Sequence, residues 1–300
     1  MLEENNRSDN ERNKVAMFWR TKENRVLQCL LCPHNCMIGE GEVGRCGVRS
    51  NKKGQLIADS YGLVSAIALD PIEKKPLRKF ESKKNILSIG SFGCNLKCPF
   101  CQNHGISLEY KDRWEHHKRM TPTQVATMAE DTIPRGNIGV AYTYNEPLVG
   151  VEFVLGCAKE VHQLGMKNVL ITNGLINPIP LKEIMPYMDA MNIDLKCFSN
   201  EGYKKLGGNL EDVKRTVEFA TNHAHVEVTT LIIPGLNDSE EEIDELTSWI
   251  ATIDPDIPLH LSRFFPSYRC LGREPTPVNT IYKLEKVAKK HLKHVFMGNM

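Results

Sequence analysis

Gly93-Cys94-Asn95-Leu96-Lys97-Cys98-Pro99-Phe100-Cys101-Gln102-Asn103 follows the apolar run Ile86–Gly90, and its reading decides how the rest of the chain is read. Its three cysteines are separated by three residues and then by two. Three thiolates that close together can hold three corners of a cubane iron–sulfur cluster, because soft sulfur donors suit such clusters. No neighbouring cysteine supplies a fourth ligand, so the fourth iron is open to another molecule. A structural zinc site is the competing reading. It needs four ligands, and His104 is the one nearby side chain that could complete them.

Outward from this loop, residues 85–300 alternate short apolar runs with helical patterns, the mark of parallel β/α units. Strands are expected at Ile86–Gly90, Ile138–Thr143, Asn168–Thr172, Met191–Leu195, His225–Ile233 and Pro258–Arg263. Helices are expected at Pro122–Ile133 (with Thr121 as N-cap), Val149–Leu164, Leu181–Met188, Leu210–Asn222, Ser239–Ile253 and Val278–Leu292. His294–Met297 is a candidate for a short further strand. The pattern predicts an α/β fold, a partial (β/α)6 TIM-like barrel open on one side, with a small cysteine-rich N-terminal domain in front of it. Residues 21–84 form that metal-binding domain, with a glycine-rich stretch at Gly39–Gly47 and apolar runs near Gln55–Ala58 and Gly62–Ala68. A segment with so little core needs a metal or docking against the barrel to hold it. Residues 1–20 read as a disordered tail, polar at least to Lys14 and without the apolar core of a signal peptide.

The formal net charge is +1, which gives no nucleic-acid or membrane footprint. The run Lys111–Arg119 mixes both signs and reads as solvated surface. No stretch reaches about 18 apolar residues, so no membrane span is expected. Seven of the ten cysteines fall in two clusters, which is ligand-like rather than disulfide-like and points to a reducing cytoplasm. Cys157, Cys197 and Cys270 stand alone; Cys157 reads as core, and Cys197 lies nearer the candidate site.

In β/α barrels, chemistry gathers at the carboxyl ends of strands. Here those ends carry the three cysteines, then Thr143-Tyr144-Asn145-Glu146-Pro147, Thr172-Asn173-Gly174, Asp194-Leu195-Lys196, Thr229 and Thr230 with Pro234–Asp238, and His260, Ser262 and Arg263. Asn145 and Glu146 read as functional, although Asn-Glu-Pro could be a plain turn. Pro234–Asp238 reads better as a turn with a helix N-cap. His260 reads equally well as a ligand or as a satisfied core histidine. A second cluster, Cys29, Cys32, Cys36 and Cys46, suffices for a closed zinc site or a second iron–sulfur cluster, and spacing does not choose between them.

The cysteine loop resembles the signature of the radical S-adenosylmethionine superfamily. Cys32-Pro-His-Asn-Cys36, Gly44-Arg-Cys-Gly-Val-Arg49, Asp70–Leu77, Ser91–Asn95, Cys101–Asn103, Tyr142–Pro147 and Gly298-Asn299 together resemble the radical enzymes of the AmmeMemoRadiSam system, relatives of the pyruvate formate-lyase activating enzyme. The resemblance implies a 4Fe–4S cluster on Cys94, Cys98 and Cys101, with S-adenosylmethionine on the open iron. It implies Phe100 near the adenine, Glu146 on the amino group, and Asn145, Asn173, Asp194 and Lys196 as further cofactor contacts. The family's usual Gly-Gly-Glu-Pro is Tyr-Asn-Glu-Pro here, which leaves the close backbone approach of the glycines to side chains. A reductant such as flavodoxin or ferredoxin is implied, and association with a Memo-like protein. The family often carries one more Cys-x-x-Cys pair in a C-terminal tail. This sequence lacks it, so any site built with that tail is expected to be absent or different. Three readings follow. The first is a radical enzyme that abstracts hydrogen from an unidentified substrate. The second is an activase acting on a glycyl-radical enzyme. The third is a metal-stabilised binding protein without turnover.

Overall fold

The computed structural model describes residues 13–109 and 117–300; the start of the expected tail and most of the mixed-charge run lie outside them. Three short antiparallel strands open the chain, β1 (Trp19–Thr21), β2 (Leu27–Cys29) and β3 (Met37–Ile38), followed by the hairpin β4 (Arg49–Lys52) and β5 (Gln55–Ala58). Residues 15–20 are not a tail. Val15 bridges Ile57, Ala16 N–H donates to the Leu56 carbonyl at 2.7 Å, and β1 pairs with β2. Backbone groups satisfied in a ladder have no reason to leave it.

One eight-stranded sheet organises the rest: β6 (Ala66–Pro71), β7 (Asn85–Gly90), β8 (Asn137–Tyr142), β9 (Lys167–Thr172), β10 (Ala190–Asp194), β11 (His225–Ile232), β12 (Leu259–Arg263) and β13 (Val295–Gly298), in that spatial order. β7 to β13 run parallel, and β6 joins the edge antiparallel to β7. The six expected strands are present, the short further strand is the seventh parallel one, and the partial barrel stands. The run near Gly62–Ala68, read with the cysteine-rich segment, contributes to β6 and so to the barrel's edge.

Helices α1 (His104–Ser107), α2 (Pro122–Asp131), α3 (Val151–Gln163), α4 (Pro178–Ile184), α5 (Asn200–Leu206), α6 (Leu210–Thr221), α7 (Glu240–Ile253) and α8 (Val278–Ala288) complete the chain. Thr121 and Gln124 form a reciprocal capping box that starts α2, with Pro122 just inside. The helix expected at 181–188 begins earlier, at Pro178, and passes into a 3-10 turn at Met185–Tyr187. Pro186 explains that change, since its ring cannot continue an α-helix. Helix α5 was not expected. It is capped by Ser199 and ended by Gly207 after seven residues, too short to show a period.

Alternation along each strand sends one set of side chains to the helices and the other inward. Leu87, Ile89, Val140 and Tyr142 join the large core under the helices. Inside, Ile72 and Leu77 from the segment after β6 pack with Ile86, Ala141, Val169 and Ala190. Asn192 Nδ2 holds the Pro76 carbonyl at 2.8 Å, and Glu227 accepts the Arg78 and Lys79 N–H groups at 3.0 and 2.7 Å. Segment 72–79 thus floors the barrel at the amino ends of its strands and leaves the carboxyl ends open. Among the described residues, no helix is long and apolar enough to cross a membrane.

Candidate active site

β7 ends at Gly90 and hands the chain to the cysteine loop. The loop is held from the neighbouring strand end by Asn145, whose Oδ1 accepts the Ser91 N–H at 2.9 Å. Its Nδ2 donates to the carbonyls of Phe92, Gly93 and Glu146 at 3.0–3.1 Å. Asn103 closes the other side by donating to the Tyr144 carbonyl at 2.7 Å. Tyr144 has a left-handed backbone (φ 72°), unusual for a bulky residue and a store of local strain. The next strand brings Asn173 in, with Nδ2 at 2.9 Å from Asn95 Oδ1 and 3.6 Å from Cys94 Sγ.

Cys94, Cys98, Cys101, Phe100, Asn145, Glu146, Asn173, Asp194 and Lys196 all border one cavity of about 340 Å³ at the carboxyl ends of the strands. Each of these residues was singled out in the sequence, and the fold gathers them from four separate strand ends. Cys29, Cys32, Cys36 and Cys46 do not border this cavity. They lie behind the loop, and Cys46 and Cys94 share a smaller cavity of about 280 Å³. Among the described residues, no disulfide joins any cysteine, and no three Cys, His, Asp or Glu side chains converge to hold one metal ion. His104, the candidate fourth zinc ligand, stacks on Tyr268 with ring centroids 4.6 Å apart.

Burial sets the electrostatics. Glu146 is 3% exposed, and burial raises its carboxyl to about 7 although three donors favour the charged form. Those donors are Thr172 Oγ1 (2.7 Å), the Leu148 N–H (3.0 Å) and the Asn173 N–H (2.7 Å). A carboxylate has about four acceptor positions, so one remains for a ligand. Lys196 pairs with Asp194 at 2.7 Å. Burial opposes its charge, but Asp194 and the Cys98 and Cys101 sulfurs hold the ammonium above its ordinary range. Burial also pushes the Cys98 thiol up to about 12 against the pull of Lys196, and Cys94 higher than its ordinary value with help from the Glu146 charge.

Three other motifs have structural uses. Asn237 braces its own turn, accepting the Ile233 N–H at 2.8 Å and donating to the Lys196 and Leu231 carbonyls at 2.9 Å. His260 Nε2 donates to the buried Glu227 carboxylate at 2.6 Å, and its ring stacks on Phe296. Cys157 is fully buried core on α3. The sequence reading missed Lys75, which is buried at the cavity wall, 3.0 Å from Asp70 and 4.7 Å from the centre of the Tyr144 ring. Adjacent lysines between an Asp-Pro and a Pro-Leu were its only sequence signal.

Residues 88–250 match the model of the radical SAM superfamily. The chain is 38% identical over 290 residues to an uncharacterised protein of Methanocaldococcus jannaschii, covering 96% of this chain and 85% of that one. It is 26% identical over 170 residues to the pyruvate formate-lyase-activating enzyme of Clostridium pasteurianum, covering 54% of this chain and 67% of that one. The fold resembles that of Streptococcus suis SuiB bound to S-adenosylmethionine (TM-score 0.51, 13% identity), over 68% of this chain and 47% of that one.

Proposed function

The chain belongs to the radical SAM superfamily, and from that premise we propose that Cys94, Cys98 and Cys101 hold a 4Fe–4S cluster for the reductive cleavage of S-adenosylmethionine. A cluster held there would supply the electron for reductive cleavage of the sulfonium, the chemistry that yields methionine and a 5′-deoxyadenosyl radical able to take a hydrogen atom from a substrate. The observation that carries the reading is the single cavity bordered by all three thiols and by the polar ends of the following strands. The donor set fits. Three thiols ligate three irons of a cluster and leave the fourth open, whereas a closed zinc site wants four ligands.

The chain's own groups have distinct tasks in this reading. Glu146 offers its one unfilled acceptor position to the ammonium of S-adenosylmethionine, and Lys196, held charged by Asp194, attracts the carboxylate. Phe100, 3% exposed, gives the adenine an apolar wall. Asn145 and Asn173 act through the loop, fixing its carbonyls and the Cys94 sulfur. Ordered groups of this kind position reactants before any electron moves.

Within the superfamily the motifs named above support a place among the AmmeMemoRadiSam-system enzymes, in a reducing cytoplasm, with a flavodoxin- or ferredoxin-class reductant and a Memo-like partner. Similarity to the activating enzyme of Clostridium pasteurianum supports a second reading, in which the hydrogen comes from a glycyl-radical enzyme. Cys29, Cys32, Cys36 and Cys46 make a second metal centre in either case.

The test is anaerobic reconstitution, reduction with dithionite, addition of S-adenosylmethionine and assay of 5′-deoxyadenosine, beside a variant with Cys94, Cys98 and Cys101 changed to Ala. Product from the wild type alone is expected. Product from both proteins, or a wild type that binds no iron, overturns the reading.

A further inference from the structure

The second set of thiols is built as carefully as the first. The β2–β3 hairpin brings Cys29 and Cys36 together, the Cys29 N–H donating to the Cys36 carbonyl at 2.9 Å. The turn carrying Cys46 folds back on that hairpin: the Arg45 N–H reaches Cys36 Sγ at 3.5 Å, and a Cβ on Gly44 would stand 3.9 Å from that of Cys36. Cys32 lies within electrostatic reach of Cys29 and Cys36, and Cys46 within reach of Cys29 and Cys32. Backbone N–H groups two residues on point at the sulfurs of Cys29, Cys32 and Cys46, from Leu31, His34 and Val48. Leu96 makes the same contact with Cys94 at 3.4 Å. Donors aimed at sulfur tune iron–sulfur centres.

Arg49 supplies independent evidence. It is 1% exposed, and its terminal nitrogens bind Glu152 and the carbonyls of Val149 and Met17. Its Nε has no acceptor among the described residues, while the guanidinium borders the sulfurs of Cys29 and Cys46. A buried N–H without an acceptor is unfavourable. The charge is already paired with Glu152, and an acceptor among these thiols would meet the remaining donor.

We infer that Cys29, Cys32, Cys36 and Cys46 hold a second iron–sulfur cluster, each iron closed by a protein thiolate, and that this cluster passes electrons to the Cys94–Cys98–Cys101 site. The inference rests on the reading of that site given above. Four thiolates also suit zinc, and the metal counts below separate the two occupants. The two sets are joined through side chains. The Asn95 amide borders the Cys32 sulfur, and Asn173 Nδ2 bridges Asn95 Oδ1 (2.9 Å) and Cys94 Sγ (3.6 Å). The backbones also touch, since a Cβ on Gly93 would meet the Cys46 carbonyl oxygen at 2.9 Å. One electron from a flavodoxin- or ferredoxin-class carrier reduces the closed cluster, and the same electron moves on to the open site. The closed cluster returns to its oxidised level, and no atom is transferred.

The test uses the full chain reconstituted anaerobically with iron and sulfide, in three forms: wild type, Cys94/Cys98/Cys101→Ala and Cys29/Cys32/Cys36/Cys46→Ser. Iron, zinc and acid-labile sulfide are counted, and the reduced proteins are compared by electron paramagnetic resonance. Each variant is expected to keep roughly half the wild-type iron and sulfide. The Ala variant is expected to show a reduced-cluster signal that S-adenosylmethionine does not change. An Ala variant holding zinc, or no iron, overturns the inference. A Ser variant whose signal ignores S-adenosylmethionine, beside an iron-loaded Ala variant, overturns the active-site reading instead. For the relay, Asn95→Ser leaves all seven cysteines in place. It is expected to lower several-fold the ratio of the 5′-deoxyadenosine rate with reduced flavodoxin to the rate with dithionite, whatever it does to either rate alone. An unchanged ratio overturns the relay.

Discussion

The two cysteine loops use the same local device and face opposite surroundings. Each turns a backbone N–H onto its sulfurs. The Cys94 loop offers three thiols to an open cavity whose walls are Glu146, Asn173, Asp194 and Lys196. The Cys29–Cys46 group has four thiols, and its inner neighbour is the buried Arg49–Glu152 pair, 2.9 Å apart with both side chains 1% exposed. An incomplete ligand set on a polar cavity leaves room for a reactant. Four thiols backed by a buried ion pair would close every corner of a cluster, which suits holding the fold and carrying charge. The number of thiols matters less than what stands opposite them.

The largest expected effect breaks the sealed side. Arg49→Met leaves Glu152 buried with its charge unmatched and should cost about 3–5 kcal/mol, read as a lower midpoint in urea. Iron at the Cys94 loop should survive in the protein that remains folded. A loss under about 1 kcal/mol would mean that the pair does not anchor the N-terminal segment to α3. Next comes the contact between the loops. Gly93 has φ 89°, and a Cβ there would stand 2.6 Å from Val48 Cγ1 and 2.9 Å from the Cys46 carbonyl oxygen. Gly93→Ala should therefore cost about 2–4 kcal/mol from backbone strain and overpacking together. It should also lower iron retention at both loops. Loss of iron at one loop alone would show that they are seated independently.

Much of this contrast was legible before the fold was known. Parallel strands buried on both faces read as apolar runs, so the six strands declared themselves, and the carboxyl-end rule turned their polar termini into a site list. Strand β6 was harder. Its apolar run was read with the cysteine-rich segment, because it lies at the sheet edge, half-exposed, and Asp70-Pro71 at its end looks like a turn. The left-handed Tyr144 has no sequence signature, because its conformation is imposed by Asn103 and by the Asp70–Lys75 pair that meets its hydroxyl. Lys75 was not singled out, because its burial depends on Asp70, which the antiparallel edge strand delivers. The use of Asn145 as a clamp on the loop, with the cavity on its other side, likewise needed two strand ends side by side.

The smallest effect at neutral pH is the most specific to the open side. Burial raises the Glu146 carboxyl from its ordinary 4.5 to about 7, so the native state keeps a proton that the unfolded chain releases. The stability this confers is present below about pH 4.5 and is lost as pH rises to about 7, at most about 3 kcal/mol over the window. Glu146→Gln removes the titration. Its amide oxygen can still accept from Thr172 and Leu148, but its NH2 then faces the Asn173 N–H, so one hydrogen bond is lost. The two changes oppose each other. Stability at pH 7 should move by no more than about 1 kcal/mol, while the slope between pH 5 and 7 flattens. Thermal melts of the two proteins across that range measure it. Binding sharpens the point. An ammonium on the carboxylate's remaining acceptor position favours the charged form, so wild-type affinity for S-adenosylmethionine should rise with pH up to about 7, and that rise should vanish in the variant. Calorimetric titrations at pH 5.5 and 7.5 decide it. Parallel pH dependence in both proteins would place the ammonium elsewhere in the cavity and leave Glu146 as a clamp on Thr172 and Asn173.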